Sequence, residues 1–346
     1  MRSSRAVNIR DVARAAGVSP GTVSRALNGS PLVNTDTRDK INQVVKVLGY
    51  APNPSAQRLS TGKTFAIGLI APFFTRPSVS ERLNGAVGLL ARSHYDLVIH
   101  DIETPEQRRA GFLDIIRRER VDGALILSMR ILDEDVELIK NAELPVVLLD
   151  TDHPALTQLN RLVVDDVAGG RLATEYLLQL GHTRIGFIGD YAHNPLGFVS
   201  SRNRHNGYCQ ALHQAGLPAC PEYYSEGEHG RQCARKQALD MLSQSEPPTA
   251  IFAASDTQAI GILEAVRDLA LRVPEDLSVI GYDDIEVADV LGLTTIRQGL
   301  AESGQLGIQL LLDTIANPSL PPIYKVLPIE LVSRRTTAPV RGSAGR

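Results

Sequence analysis

From Phe65 onward, short apolar runs alternate with longer amphipathic stretches, and this alternation constrains the fold more than any other feature of the 346 residues. Candidate strands fall at 65–71, 97–101, 124–128, 146–150, 185–189, 250–254 and 278–282. Helical stretches at 167–180, 202–215, 234–242 and 258–269 lie between them. Strands and helices in turn build parallel sheets from right-handed β-α-β units. Runs that are apolar on both faces suit strands covered by helices on each side. The units are too many for one sheet, so two α/β lobes are expected, with a cleft at the carboxyl ends of the strands.

The first sixty residues follow different rules. The formal net charge of −3 argues against a nucleic-acid partner only until the charge is located. Residues 1–63 hold ten Lys/Arg against three Asp/Glu, a net of +7, and the other 283 residues carry 26 basic and 36 acidic side chains, a net of −10. A basic segment of this size is an electrostatic footprint for phosphate. It also carries apolar periodicity and helix punctuation, which a solvated basic arm does not need. No apolar run reaches the ~18–20 residues a bilayer span requires. The start, with Arg2 and Arg5, lacks the apolar core of a signal peptide. Three cysteines, none in a C-x-x-C pair, give no disulfide framework. A cytoplasmic protein with no membrane partner is expected.

Within that segment Asn8 is placed to cap a helix over 9–16, with Asp11 completing a capping-box-like pair. Gly17 is a left-handed stop. Ser19 is the next N-cap, and Pro20 sits at the first helical position, where its missing N–H costs nothing. The second helix runs to about Asn28, with Val23, Ala26 and Leu27 on one face. Asn34 caps a third over 35–48, with Ile41, Val44, Val45 and Leu48 at helical spacing. Two short helices joined by a glycine turn and covered by a third form a helix-turn-helix, whose second helix enters the major groove by its N-terminal residues.

The wording of residues 8–28, NIRDVARAAGVSPGTVSRALN, resembles the headpiece of the lactose-repressor family of bacterial transcription regulators. Residues 49–62, GYAPNPSAQRLSTG, resemble that family's hinge helix, with Asn53 as N-cap and Pro54 first. A helix of barely two turns is marginal alone, so it should fold only when paired with its dimer mate on DNA. The resemblance implies that Leu59 wedges into the minor groove and kinks the duplex. It extends to about Arg335 as a periplasmic-binding-protein-like core, carried by VDDVAGG (164–170), LGHTRIGFIG (180–189), VIGYDD (279–284) and LTTIRQ (293–298).

The implied architecture is α/β: an N-terminal all-α helix-turn-helix headpiece over 1–50, a hinge helix and linker over 51–63, and a two-lobed core over 64–340 with two parallel sheets. Lobe 1 would take about 64–163 and 297–325, and lobe 2 about 164–296 and 326–340, with crossings near 163, 295 and 327. In the reading helix Gly21 offers no side chain and Pro20 only apolar contact, so Arg25 is the candidate for guanine O6/N7. The expected DNA-binding set is Ser19, Pro20, Gly21, Thr22, Ser24, Arg25 and Asn28, with Asn53, Ala56 and Leu59 from the hinge.

For the cleft, the resemblance implies an effector site lined by Asp150, Arg202, Ser255 and Asp283. Asp150 and Asp283 stand at strand ends, Ser255 and Asp256 follow another strand, and Arg202 opens the helix after Gly189. An arginine fork can hold vicinal hydroxyls or a carboxylate, and carboxylates accept from sugar hydroxyls. Asp256 either joins the site or caps its helix, and Asp165 and Asp166 read as cap or turn residues. Ser255 stands where many relatives have Asn, and His229 and Leu300 where an aromatic is common. Phe73 and Phe74 can supply the missing aromatic platform or pack in the core. The expected effector set is Phe73, Phe74, Asp150, Arg202, His229, Ser255, Asp256 and Asp283. A sugar is the first effector class, and a nucleoside, purine or other metabolite the second.

No G-x-S-x-G, H-E-x-x-H or G-x-G-x-x-G pattern occurs, so no catalytic residue and no cofactor is expected. Gly62-Lys63-Thr64 imitates the end of a P-loop, but Gln57 stands where its first glycine belongs. His205, Cys209 and His213 fall at i, i+4 and i+8, a spacing that can chelate metal. Tyr208, Ala211, Leu212 and Ala215 form the buried stripe of that helix, which leaves the triplet toward solvent, and no metal is expected. A transport solute receptor is opposed by the basic helix-turn-helix, and an α/β enzyme by the lack of a nucleophile–base constellation. The expectation is a homodimeric, ligand-responsive regulator, a repressor first of all, of a pseudo-palindromic double-stranded DNA operator. Effector binding would change lobe closure and so the spacing of the two hinge segments. The tail after Arg335 lacks heptads, so no further oligomerising helix is expected.

Overall fold

The computed structural model describes residues 7–27, 29–50, 62–117 and 119–340, and the chain divides into two compact units, Met1–Thr64 and Phe65–Arg346. Asn28, Asn53, Ala56 and Leu59, and with them the expected hinge helix, lie outside the described residues.

The first unit is three helices, α1 (Ile9–Ala16), α2 (Pro20–Leu27) and α3 (Thr35–Leu48). Asn8 Oδ1 accepts from the Arg10 and Asp11 N–H groups, and Asp11 answers by accepting from the Asn8 N–H at 3.1 Å. These bonds satisfy donors that the helix start would otherwise leave bare. Gly17 and Gly49 end α1 and α3 with φ of 67° and 60°, a left-handed conformation that side chains other than glycine resist. Val12, Ala16, Val23, Ala26 and Ile41 close a small core between the helices. Arg38 is structural here: Nη2 donates to the Ser30 carbonyl at 2.8 Å and so fastens the loop before α3.

The second unit holds two six-stranded sheets. In the first, β11 (Tyr324–Leu327), β5 (Asn160–Val164), β4 (Val146–Leu149), β3 (Gly123–Leu127), β1 (Ala66–Pro72) and β2 (Asp96–Ile102) lie side by side, all parallel. In the second the order is β12 (Glu330–Val332), β10 (Thr294–Arg297), β9 (Ser278–Asp283), β8 (Ala250–Ala253), β6 (Ile185–Asp190) and β7 (Tyr224–Gly227). Only β12 runs antiparallel to its neighbour there. Alternate residues of each inner strand bury on opposite faces. Ile70, Ile126 and Leu148 pack on Phe112 and Ile115, while Leu69, Leu125 and Leu149 pack on Ile308 and Leu311. Each such side chain removed from water contributes about 1.5–3 kcal/mol.

The chain leaves the first sheet after Val164, returns between Arg297 and Leu300, and leaves again between Leu327 and Glu330. Beta strands 5, 7, 10, 11 and 12 carry no apolar run that sequence alone would mark. Polar residues interrupt them: Asn160 and Arg161 in β5, Ser225 and Glu226 in β7, Thr294 and Thr295 in β10, Lys325 in β11 and Glu330 in β12.

Two glycine seams fix where the helices stand. In lobe 1, α4 (Pro77–Leu90) packs on the late helix Leu300–Ala316 so closely that a Cβ on Gly85 would strike the Ala301 carbonyl, and one on Gly304 the Arg82 carbonyl. In lobe 2, helix Asp166–Gln179 meets helix Ser200–Gln214 in the same way, with Gly170 against the Arg204 carbonyl and Gly207 against that of Val167. Gly88, one turn beyond Gly85, faces open space. Gly85→Ala should therefore destabilise the fold by about 1–3 kcal/mol through overpacking. Gly88→Ala should be neutral or stabilising by up to ~1 kcal/mol through helix propensity. Chemical denaturation of the two variants checks this contrast, and equal effects would remove the seam as the cause.

Candidate nucleic-acid interface and ligand cleft

The start of α2 is an exposed turn closed by its own side chains. Ser19 Oγ accepts from the Thr22 N–H at 3.1 Å and lies 2.9 Å from Thr22 Oγ1, so the cap is closed by side chains. Ser19, Pro20, Gly21 and Arg25 are exposed, and Thr22 and Ser24 half-buried. Arg25 Nε donates to the Gly21 carbonyl at 3.2 Å, which carries the guanidinium forward over a turn where Gly21 leaves room. Its terminal amines have no partner among the described residues. A fork held at its base and free at its tip suits bidentate contact to guanine or phosphate. Arg10, Arg14, Lys40 and Lys46 are also exposed on this unit.

In the second unit the carboxyl ends of both sheets meet at a recess of about 80 Å³, which opens into an outer cavity of about 700 Å³. Lobe 1 contributes Ser128, Asp150 and Arg82, and lobe 2 contributes Asp190, Arg204, Ser255 and Asp283. Asp150 Oδ2 accepts from Ser128 Oγ at 2.7 Å and from Arg82 Nη2 at 3.0 Å. Arg82 also donates to Gln298 Oε1 and to Ser303 Oγ, both at 2.9 Å. Gln298, on the segment that crosses between the sheets, donates to Asp283 Oδ1 at 2.6 Å. Arg204 donates to Asp166 Oδ1 at 2.8 Å and to the Ala254 carbonyl at 2.6 Å, with Asp283 3.6 Å away and the Tyr282 ring beneath it at 3.6 Å.

Burial drives the titration of this network. It pushes the Asp283 carboxyl up to about 6, against the pull of Arg204 and Arg82. Arg204 keeps its charge firmly: burial opposes it, but Asp166 and Asp283 outweigh burial and raise its pKa. Asp190 works the other way: burial pushes its carboxyl up, but the hydrogen bond and charge of His229, with the charges of Arg76 and Arg204, outweigh burial and hold it below its ordinary range. His229 Nδ1 lies 3.1 Å from Asp190 Oδ1, which also accepts from Gln258 Nε2 at 3.0 Å.

The cleft gathers Asp150, Ser255, Asp283, His229 and Phe73, of which Phe73 lines only the outer cavity. Three expected residues fall elsewhere. Arg202 is exposed and lines neither cavity, and Arg204 takes the place foreseen for it. Residues two apart on a helix point about 200° apart, so only one of the two can face the recess. Asp256 is fully buried away from the cleft, where it accepts from Thr295 Oγ1 at 2.6 Å and from the Ile285 N–H at 3.0 Å. Ser255, not Asp256, caps that helix, accepting from the Gln258 N–H. Burial, reinforced by Asp283, raises the Asp256 carboxyl well above its usual range. Phe74 is exposed and lines neither cavity, its N–H bonded to Asp101.

Asp165 does cap its helix, but Asp166 is the counter-ion of Arg204. His205 and Cys209 stand 3.5 Å apart with the imidazole packed 4.4 Å from the Tyr224 ring, and His213 is exposed. Arg76, Arg82, Asp190, Phe198 and Gln298 were not foreseen. Around them Phe73, Ser128, Asp150 and Asp283 all take positive φ at strand ends.

Residues 8–53 match the family of bacterial regulatory proteins, lacI family, and residues 174–337 match the periplasmic binding protein-like domain. The HTH-type transcriptional repressor PurR of Vibrio atlanticus (strain LGP32) is 32% identical over 310 residues, which cover 89% of this chain and 91% of the relative. The ribose operon repressor of Haemophilus influenzae is 34% identical over 316 residues, 90% of this chain and 92% of that protein. The Lac repressor dimer bound to operator and the anti-inducer ONPF shares 29% identity and a TM-score of 0.83, over 96% of this chain and 100% of that one. These repressors align over about nine-tenths of the chain, and the chain belongs to the lacI family of bacterial regulatory proteins.

Proposed function

We propose that this chain is a ligand-responsive transcriptional repressor that binds a pseudo-palindromic operator as a homodimer and senses a small polyhydroxylated effector, a sugar first and a nucleoside second, in its interlobe cleft. One observation carries the ligand half of this reading. Asp150 and Asp283 each engage one carboxylate oxygen in the protein network and keep the other without a protein partner among the described residues. Such oxygens accept from ligand hydroxyls, and Arg204 supplies the opposing donor. Arg25 carries the DNA half as the base-reading side chain, with Ser19 and Thr22 at the phosphate backbone. Leu59 keeps the minor-groove role expected from the sequence, and Asn53 and Ala56 stay in the DNA-binding set of the hinge.

The division of labour follows the chain: 1–50 reads DNA, 51–63 links, and 64–340 senses and dimerises. A ligand that touches both lobes favours one state of their closure, and DNA affinity shifts by its differential affinity for the two states. Induction, the loss of operator binding on ligation, is the sense we assign. The role is binding rather than catalysis, and it is exercised in the cytoplasm, where operators lie. Among the described residues no helix is long and apolar enough to cross a membrane.

Arg25→Ala should cost about 1–3 kcal/mol on the operator and relax specificity at one base pair per half-site. Anisotropy titrations at fixed salt on operator and on random DNA check this, since equal losses would make Arg25 a phosphate contact. Effector affinity should also fall as pH drops from about 7.5 to about 5.5, because the Asp283 carboxyl ionises near 6 and only the ionised form is a pure acceptor. Calorimetry with a compound found by thermal-shift screening reads the profile. A profile just as steep in Asp283→Asn would assign it to another group.

A further inference from the structure

Three guanidinium groups reach the recess, and two of them are already paired. Arg82 is held by Asp150, Gln298 and Ser303, and Arg204 by Asp166 and the Ala254 carbonyl. The Arg76 guanidinium has no hydrogen-bond or ion-pair partner among the described residues, although Arg76 lines both the recess and the outer cavity. Its guanidinium stacks instead, 4.0 Å from the centroid of the Phe73 ring and 5.8 Å from that of Phe198. One ring comes from each lobe. Stacking fixes the plane of a guanidinium and leaves its edge donors free. Burial lowers the pKa of Arg76 while the charges of Asp190 and Glu103 oppose the change, so it is a charge partly withdrawn from water and offset only at a distance, without a direct ion pair.

The acids nearby make no direct ion pair with it. Asp190 is engaged by His229 and Gln258, and Glu103, Glu106 and Glu228 line the outer cavity only. The backbone adds donors at the same place. Helix Pro77–Leu90 starts directly after Arg76, and helix Ser200–Gln214 opens at the recess from the other lobe. Neither has a side-chain cap for its first N–H groups.

We propose that the effector carries an anionic group, a carboxylate or a phosphate monoester on a polyhydroxylated frame, and that Arg76 clamps this group while Asp150 and Asp283 take the hydroxyls. The inference rests on the reading of the cleft as the effector site. A planar fork and a planar or tetrahedral oxyanion form two parallel charge-assisted bonds, and the anion supplies the charge that the protein withholds from Arg76. Sugar acids and sugar phosphates share this chemistry, whereas neutral sugars and nucleosides lack it.

Isothermal titration of the full-length chain with sugar acids, sugar phosphates, their neutral parent sugars, nucleosides and inorganic phosphate alone tests the proposal. At least one anionic sugar should bind about tenfold or more tightly than its neutral parent, and inorganic phosphate should compete with it. Arg76→Gln should reduce that ligand's affinity to about the level of the neutral parent. Arg76→Lys, which keeps charge but not the fork, should fall between. The wild-type comparison of charged and neutral ligands needs no variant and stands even if one misfolds. The carboxylate and phosphate series decide which anion is meant. A neutral sugar or nucleoside that binds tightest, with affinity unmoved by Arg76→Gln, overturns the anionic effector and leaves the cleft as an effector site. Binding by no member of any series overturns both.

Discussion

Two buried arginine–carboxylate pairs, Arg82 with Asp150 and Arg204 with Asp166, set the floor of the cleft, and the rest of the ligand-binding half is arranged around them. Taking such charges out of water costs several kcal/mol per ion, and the attraction between them repays this only when the remaining donors and acceptors are satisfied. Here nearly all of them are, by Ser128, Ser303, Gln298 and the Ala254 carbonyl. Gln298 has a special position in this set. Its amide accepts from Arg82 of one lobe and donates to Asp283 of the other, so a single neutral side chain couples the two charged clusters.

The pairs also explain why the strand ends are irregular. A carboxylate that must face across a cleft cannot simply continue the pleat, which would turn it into one of the flanking helical layers. Asp150 and Asp283 leave the extended region, with φ of 56° and 119°, and Ser128 and Phe73 do likewise beside them. Conformations of this kind persist where surrounding bonds over-determine them.

Much of this architecture was legible in advance. Apolar runs marked Ile67–Ile70, Leu125–Leu127 and Val279–Ile280 as strands because both faces of those strands are buried, and Asn8, Gly17, Ser19 and Asn34 marked helix ends because capping is a local rule. The cleft was legible only where a residue's place depends on its own strand. Asp150 and Asp283 met that condition. Arg202 and Arg204 did not, since the phase of a helix about its axis is set by what it packs on, and the Gly170–Arg204 contact that sets it joins residues far apart in the chain. Arg82 and Gln298 are separated by 216 positions, and no spacing rule links them. Asp256 was misread because a cap and a buried brace look alike until the next strand is in place.

The glycine seams carry a mechanical consequence. Where backbone meets backbone with no side chain between, as at Gly85 and Gly304 or at Gly170 and Gly207, the two helices cannot slide without collision. Each lobe then answers a load as a stiff block that carries its arginine with it. Deformation is left to the three short joints after Val164, at Gln298–Gly299 and between Leu327 and Glu330, where Gly299 already sits in the left-handed region at φ 61°. A ligand that bridges the lobes would therefore work against three joints of a few peptides each and not against the packing inside either lobe.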